Sequence, residues 1–220
     1  MRYALVTLLV ALTGGAAGSL TLDVGQYFNA NRVRVLVFTG TISSRAGGEI
    51  VEVLGRDCGA SGEHLVAGTR TSTGGSFRAE NPSQEQGVGV WNLTPVYSGT
   101  TFRARWDGEY SRPVEWRLPA QPQFARVSGT RTWVVHVVPD GPTALVGFQG
   151  KTVVLQRLSA GGWVRVRSAR LVRKASLRWG AFNFQASFTV PARGLTLRAY
   201  LPAASAAPCY LPGSSLAWRS

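Results

Sequence analysis

Cys58, Cys209, His64 and His136 are the residues here that could bind a metal or generate a nucleophile. Their spacing argues against both. Structural zinc takes four ligands that arrive in closely spaced pairs. This chain has no C-x-x-C or H-x-x-x-H pair, so all four residues would have to converge from distant positions. A thiol nucleophile beside a histidine needs surroundings that lower the thiol pKa, and no motif around Cys58 or Cys209 supplies them. Glycoside hydrolysis needs two carboxyl groups. Beyond residue 120 the sole acid is Asp140, and in the first half Asp107 and Glu109 flank the turn dipeptide Asp107-Gly108, which reads as a solvated hairpin tip. The residues point away from an enzyme and call for neither metal nor cofactor.

The chemistry that remains is oxidation of the thiols and the electrostatics of arginine. Residues 1–18 read as a signal peptide. Arg2 opens it, Tyr3 to Leu12 is apolar, and Ala16 and Gly18 suit a cleavage site. The apolar run is too short to span a bilayer, and no later stretch approaches about 18 apolar residues, so no transmembrane segment is expected. The mature chain is therefore expected to be secreted. In such a compartment a thiol pair is oxidised, which predicts a Cys58–Cys209 disulfide.

Charge is distributed unevenly. From Ser19 to Ala120 there are 10 Arg and 10 acids; from Gln121 to Ser220 there are 11 Arg and 2 Lys against Asp140 alone. The densest run is Arg165, Arg167, Arg170, Arg173, Lys174 and Arg178. Arg165 and Arg167 share a strand face, and the others are expected in the connection that follows, giving one contiguous patch. An ordinary solvated surface intersperses both signs. A field of one sign attracts polyanions at long range and weakens with salt. Arg165, Arg167, Arg170, Arg173 and Lys174 are thus the candidate anion-binding residues. Trp163, Trp179 and Tyr200 lie among them and could stack on sugar rings, or fill the core.

The elements that must position these residues are strands. Phe182, Phe184, Ala186, Phe188 and Val190 fall on one face, with Asn183, Gln185, Ser187 and Thr189 on the other, the period of a half-buried antiparallel strand. Leu195, Leu197, Ala199 and Leu201 repeat the pattern. Thr73-Gly74-Gly75-Ser76 and Gly161-Gly162 mark turns. Ser168 to Trp179 is the one weak helical candidate, and His64 is expected to be exposed at the start of a strand.

A passage also occurs twice, about 102 residues apart. Val33, Val35, Gly48, Ile50, Val51 and Val53 recur as Val135, Val137, Gly150, Thr152, Val153 and Leu155. Phe102-Arg103-Ala104 recurs as Leu197-Arg198-Ala199, and Trp116 as Trp218. A period this long is a whole small domain. With Pro119 and Pro122 marking the joint, the chain is expected to be all-β: two tandem antiparallel β-sandwich domains, residues 19–118 near neutral and 119–220 strongly basic.

The pattern Gly150-Lys151-Thr152-Val153-Val154-Leu155, Gly161-Gly162-Trp163-Val164-Arg165-Val166, Phe182-Asn183-Phe184 and Leu197-Arg198-Ala199-Tyr200 resembles the immunoglobulin-like repeats of secreted actinobacterial proteins. The first module resembles them through Phe38-Thr39-Gly40, Gly48 to Val53 and Thr101 to Trp106. The resemblance implies immunoglobulin-like sandwiches and an exported or surface-attached protein. Its motifs are turn glycines and core positions, so it names no activity. The function expected is binding or adhesion, with the basic second domain docked on anionic cell-wall polymer, acidic polysaccharide or an acidic protein surface. Nucleic acid meets the electrostatic requirement but not the compartment. The alternatives are a spacer protein without a ligand and an accessory to a cell-wall hydrolase or transpeptidase.

Overall fold

A computed structural model describes residues 20–30, 34–82, 96–139, 147–175, 182–190 and 194–220. The expected signal peptide (residues 1–18), Val33, Asp140, Arg178 and Trp179 lie outside the described residues. The fold is nearly all β, with four antiparallel sheets. The chain divides into two compact units: one of residues 1–96 and 100–116, the other of 97–99 and 117–220. Tyr97–Gly99 group with the second unit because Ser98 is tied into it. The Ser98 hydroxyl donates to the Cys209 carbonyl at 2.7 Å and accepts from the Leu118 N–H at 2.8 Å.

In the first unit, one sheet has the order β1 (Asp23–Phe28), β2 (Arg34–Thr41), β5 (Ser76–Pro82). The other has the order β4 (His64–Arg70), β3 (Ile50–Arg56), β6 (Thr100–Trp106), β7 (Glu109–Tyr110), and β8 (Val114–Trp116) also pairs with β6. Alternating side chains from both sheets meet inside. Leu36, Phe38, Phe77 and Ala79 pack with Val51, Val53, Val66, Phe102 and Ala104, and the Phe38 and Phe102 rings meet edge to face at 5.0 Å. That interdigitation makes the pair a sandwich. Asp107 and Gly108, at φ 47° and 78°, form the expected tight turn.

In the second unit the sheets are β13 (Val172–Ala175), β14 (Phe182–Thr189), β10 (Thr132–Val137), β9 (Gln123–Arg126), and β12 (Gly162–Arg170), β11 (Thr152–Ser159), β15 (Thr196–Leu201), β16 (Gly213–Ser214). A final strand, β17 (Trp218–Arg219), also pairs with β15, and one short helix, α1 (Ala203–Ala206), precedes β16. Lettering β9 to β16 as A, B, C, C′, D, E, F and G gives A-B-E-D in one sheet and C′-C-F-G in the other, the strand order of an immunoglobulin-like sandwich. Phe184, Ala186 and Phe188 of β14 are buried, as are Leu197, Ala199 and Leu201 of β15, so both alternating patterns hold.

The repeat is visible as geometry. β3 and β11 begin 102 residues apart, and each carries a register shift at the same place, Val53/Leu54 against β4 and Leu155/Gln156 against β12. Ala104 opposes Val53 as Ala199 opposes Leu155. Gly48 and Gly150, at φ 86° and 73°, open the two hairpins in a conformation that favours glycine. Their N–H groups donate to Thr71 and Leu171 carbonyls at 2.8 Å in each unit.

Three expectations need correction. The core of the first unit takes Leu36 and Phe38, the residues alternate to Val35, whereas the second buries Val135 and Val137. The Val35–Val137 equivalence is therefore one residue out of phase, hidden by four consecutive apolar residues in β2. Trp116 opposes Thr100, while Trp218 opposes Leu197, the counterpart of Phe102, so the two tryptophans are not equivalent. Finally, Ser168–Arg170 and Val172–Ala175 are strands, not a helix.

Candidate anion-binding site in the second unit

β11 carries Val153, Leu155 and Arg157 on one face. The first two are fully buried in the core. Arg157 keeps the alternation, opposing buried Leu197, yet it lies beyond the packed part of the sandwich and is exposed. On the partner strand Leu155 opposes Arg167 and Gln156 opposes Arg165, which leaves Val166 unmatched. A bulge of this kind bends the strand and re-aims its side chains. Among the described residues β12 is also an edge strand, hydrogen-bonded only to β11.

The outcome is an open groove of about 270 Å³. Arg157, Arg165, Val166 and Arg167 line it together with Thr189, Val190 and Leu195. The three guanidinium groups are exposed and, among the described residues, have no hydrogen-bond or ion-pair partner. The ion pairs Arg78–Glu80 and Arg105–Glu52 both belong to the first unit. Asp140 is the single acid beyond residue 120, so the second unit has almost nothing with which to neutralise its arginines.

The five candidates from the sequence do not form the single run expected. Arg165 and Arg167 both border the groove, but they do not share a strand face as expected, because the bulge sets Arg167 opposite Leu155 and Arg165 opposite Gln156. Arg170 still belongs to β12, and its Nη1 donates to the Gly150 carbonyl at 3.1 Å. Arg70 does the same to Gly48 in the first unit, so this contact is part of the repeated hairpin. After buried Leu171 the chain crosses to the opposite sheet, where Arg173 and Lys174 sit in β13 instead of in a loop. The Arg173 N–H donates to Gln149 Oε1 at 2.6 Å. Arg157 was missed because it stands outside the dense run, although the Val-x-Leu-x-Arg alternation marks it.

Trp163 and Tyr200 are half-buried beside Arg198, away from the core face. The Arg198 guanidinium lies 4.2 Å from the Trp163 ring and 6.0 Å from that of Tyr200, and its Nε donates to Gln156 Oε1 at 2.8 Å. Burial holds its pKa below the ordinary arginine value, with Tyr200 acting in the other direction. His64 does open β4, but it is half-buried, not exposed, and its Nε2 has no hydrogen-bond partner. His136 is half-buried in β10, and burial lowers its pKa from 6.5.

Cys58 and Cys209 are disulfide-bonded to each other. Among the described residues no three His, Cys, Asp or Glu side chains are grouped to hold a metal, and no helix is long and apolar enough to cross a membrane. No protein-family model and no curated protein matches the sequence.

Proposed function

We propose that this is an exported, non-enzymatic binding or adhesion protein of tandem immunoglobulin-like units. Its basic second unit docks on an anionic surface such as cell-wall polymer or acidic polysaccharide. The observation that carries this reading is the charge division, 13 cations against one acid beyond residue 120. The unpartnered arginines of β11 and β12 give that excess a location. The disulfide supports an oxidising compartment, and the signal-like composition of residues 1–18 agrees with export.

Such a surface attracts polyanions at a distance and holds them by charge-assisted hydrogen bonds at contact. Arg165 and Arg167 are the central contacts, and Arg170, Arg173 and Lys174 add to the field. Retention of the full protein on purified anionic cell-wall polymer, followed across a salt gradient, tests this. Binding is expected to fall steeply between about 0.05 and 0.5 M salt, as the screening length shortens. It should disappear when Arg165, Arg167, Arg170, Arg173 and Lys174 are changed to Glu. Retention indifferent to both changes would refute the reading.

A further inference from the structure

We infer that Arg157, Arg165 and Arg167 form a discrete subsite for one anionic group, a phosphate or a carboxylate, carried on a sugar-sized unit of that polymer. The inference rests on the polyanion reading and adds a location and a ligand chemistry to it.

The two units provide the comparison. Through the shared register shift, Arg157, Arg165 and Arg167 occupy the places of Gly55, Leu65 and Ala67 in the first unit. There the same end of the sandwich is closed. Gly55 is buried, and a Cβ on it would stand 2.6 Å from Val66 Cγ2. Val66 and Ala67 are in the core, and Asn81 Nδ2 reaches from the opposite sheet to the Val66 carbonyl at 2.8 Å. In the second unit Val166, the counterpart of Val66, is 41% exposed and becomes part of a groove wall.

Three positions that are uncharged in the first unit are arginine in the second, and all three border one concavity, Arg157 and Arg167 from the face of Leu155 and Arg165 from that of Gln156. The groove is also the right size for a small group. Drug-sized ligands occupy roughly 300–1,000 Å³, and this space falls just below that, enough for one charged unit with an open side through which a polymer could continue. Guanidinium forks match phosphate and carboxylate oxygens two at a time. Val166, Val190 and Leu195 offer the apolar contact that a sugar ring or polyol backbone can cover.

The test uses the full protein and two probes, tripolyphosphate and an oligogalacturonate, to separate phosphate from carboxylate. Three variants are compared with the parent by calorimetry: R157Q/R165Q/R167Q, R157K/R165K/R167K, and R131Q/K151Q/R219Q as a control that removes equal charge elsewhere. Affinity for the preferred probe is expected to fall about a hundredfold in the groove-to-Gln variant. The control should lose only about threefold, and the Lys variant, which keeps the charge without the fork, about tenfold. Equal losses in the groove-to-Gln and control variants would overturn the subsite and leave diffuse attraction. So would unchanged affinity in a groove variant that self-associates, since the arginines would then serve to guard an edge strand. If the Gln variant does not fold, the Lys variant decides: affinity equal to the parent overturns the proposal. A parent protein that binds neither probe at low salt removes the polyanion reading itself, an outcome distinct from losing the groove alone.

Discussion

Adding one methyl group at Gly55 should destabilise the first unit, whereas removing most of Arg157, its counterpart, should leave the second nearly unchanged. A Cβ on Gly55 would lie 2.6 Å from Val66 Cγ2, 3.2 Å from Thr100 Cγ2 and 3.5 Å from His64 Nε2. Neither close neighbour can move freely. Val66 is fully buried and β-branched, so its χ1 is stiff. Thr100 is fully buried, and its hydroxyl donates to Asp57 Oδ1 at 2.8 Å. Overpacking of this kind costs about 1–3 kcal/mol. At roughly 4–8 °C per kcal/mol for a domain of this size, Gly55→Ala should lower the melting temperature of the first unit by at least about 4 °C. Arg157 is exposed and unpartnered among the described residues, so Arg157→Ala should stay within about 0.5 kcal/mol of the parent. Thermal unfolding by calorimetry, which can resolve two transitions, is the assay. A Gly55→Ala protein that melts with the parent, or an Arg157→Ala protein that falls as far, would refute the idea that this sandwich end is closed in one unit and open in the other.

Three further outcomes follow from the chemistry of the cysteines and of His136. Denatured but unreduced protein should show no reactive thiol, and reduced protein should show two; thiol titration checks this directly. Closing a loop of about 150 residues stabilises by about 5 kcal/mol in the chain-entropy treatment, so reduction should lower the urea midpoint. The His136 pKa is lowered by burial, so the unfolded chain takes up a proton there before the folded one does. The His136 contribution is therefore complete above the unfolded-state value near 6.5 and is lost as pH falls below it. Stability measured from pH 7.5 to 5.5 should decline, and His136→Gln should flatten that part of the curve.

What could be read from the sequence depended on how local each signal is. The strand β14 and the Asp107-Gly108 turn are written in adjacent residues, and the structure contains both. Gly48 and Gly150 recur because the same hairpin geometry recurs. The phase of β2 was concealed because Val35, Leu36, Val37 and Phe38 are all apolar, and alternation cannot be seen where every residue is hydrophobic. Ser168 to Trp179 looked faintly helical because nothing in the sequence announces that Leu171 carries the chain from one sheet to the other. Charge density alone singles out Arg165 and Arg167, which border the groove. Arg157 needed the pairing of β11 with β12, since its neighbours in space come from a different strand. Charge density also does not reveal that the contact of Arg170 with Gly150 mirrors that of Arg70 with Gly48.

The central claim is that the excess charge of the second unit acts through one place. Arginine Nε–H resonances of the full protein, followed by NMR during titration with tripolyphosphate, test it most directly. The account predicts that Arg157, Arg165 and Arg167 shift together along one saturating curve while Arg131 and Arg219 move little. Shifts spread evenly over the exposed arginines, or confined to residues outside the groove, would contradict it.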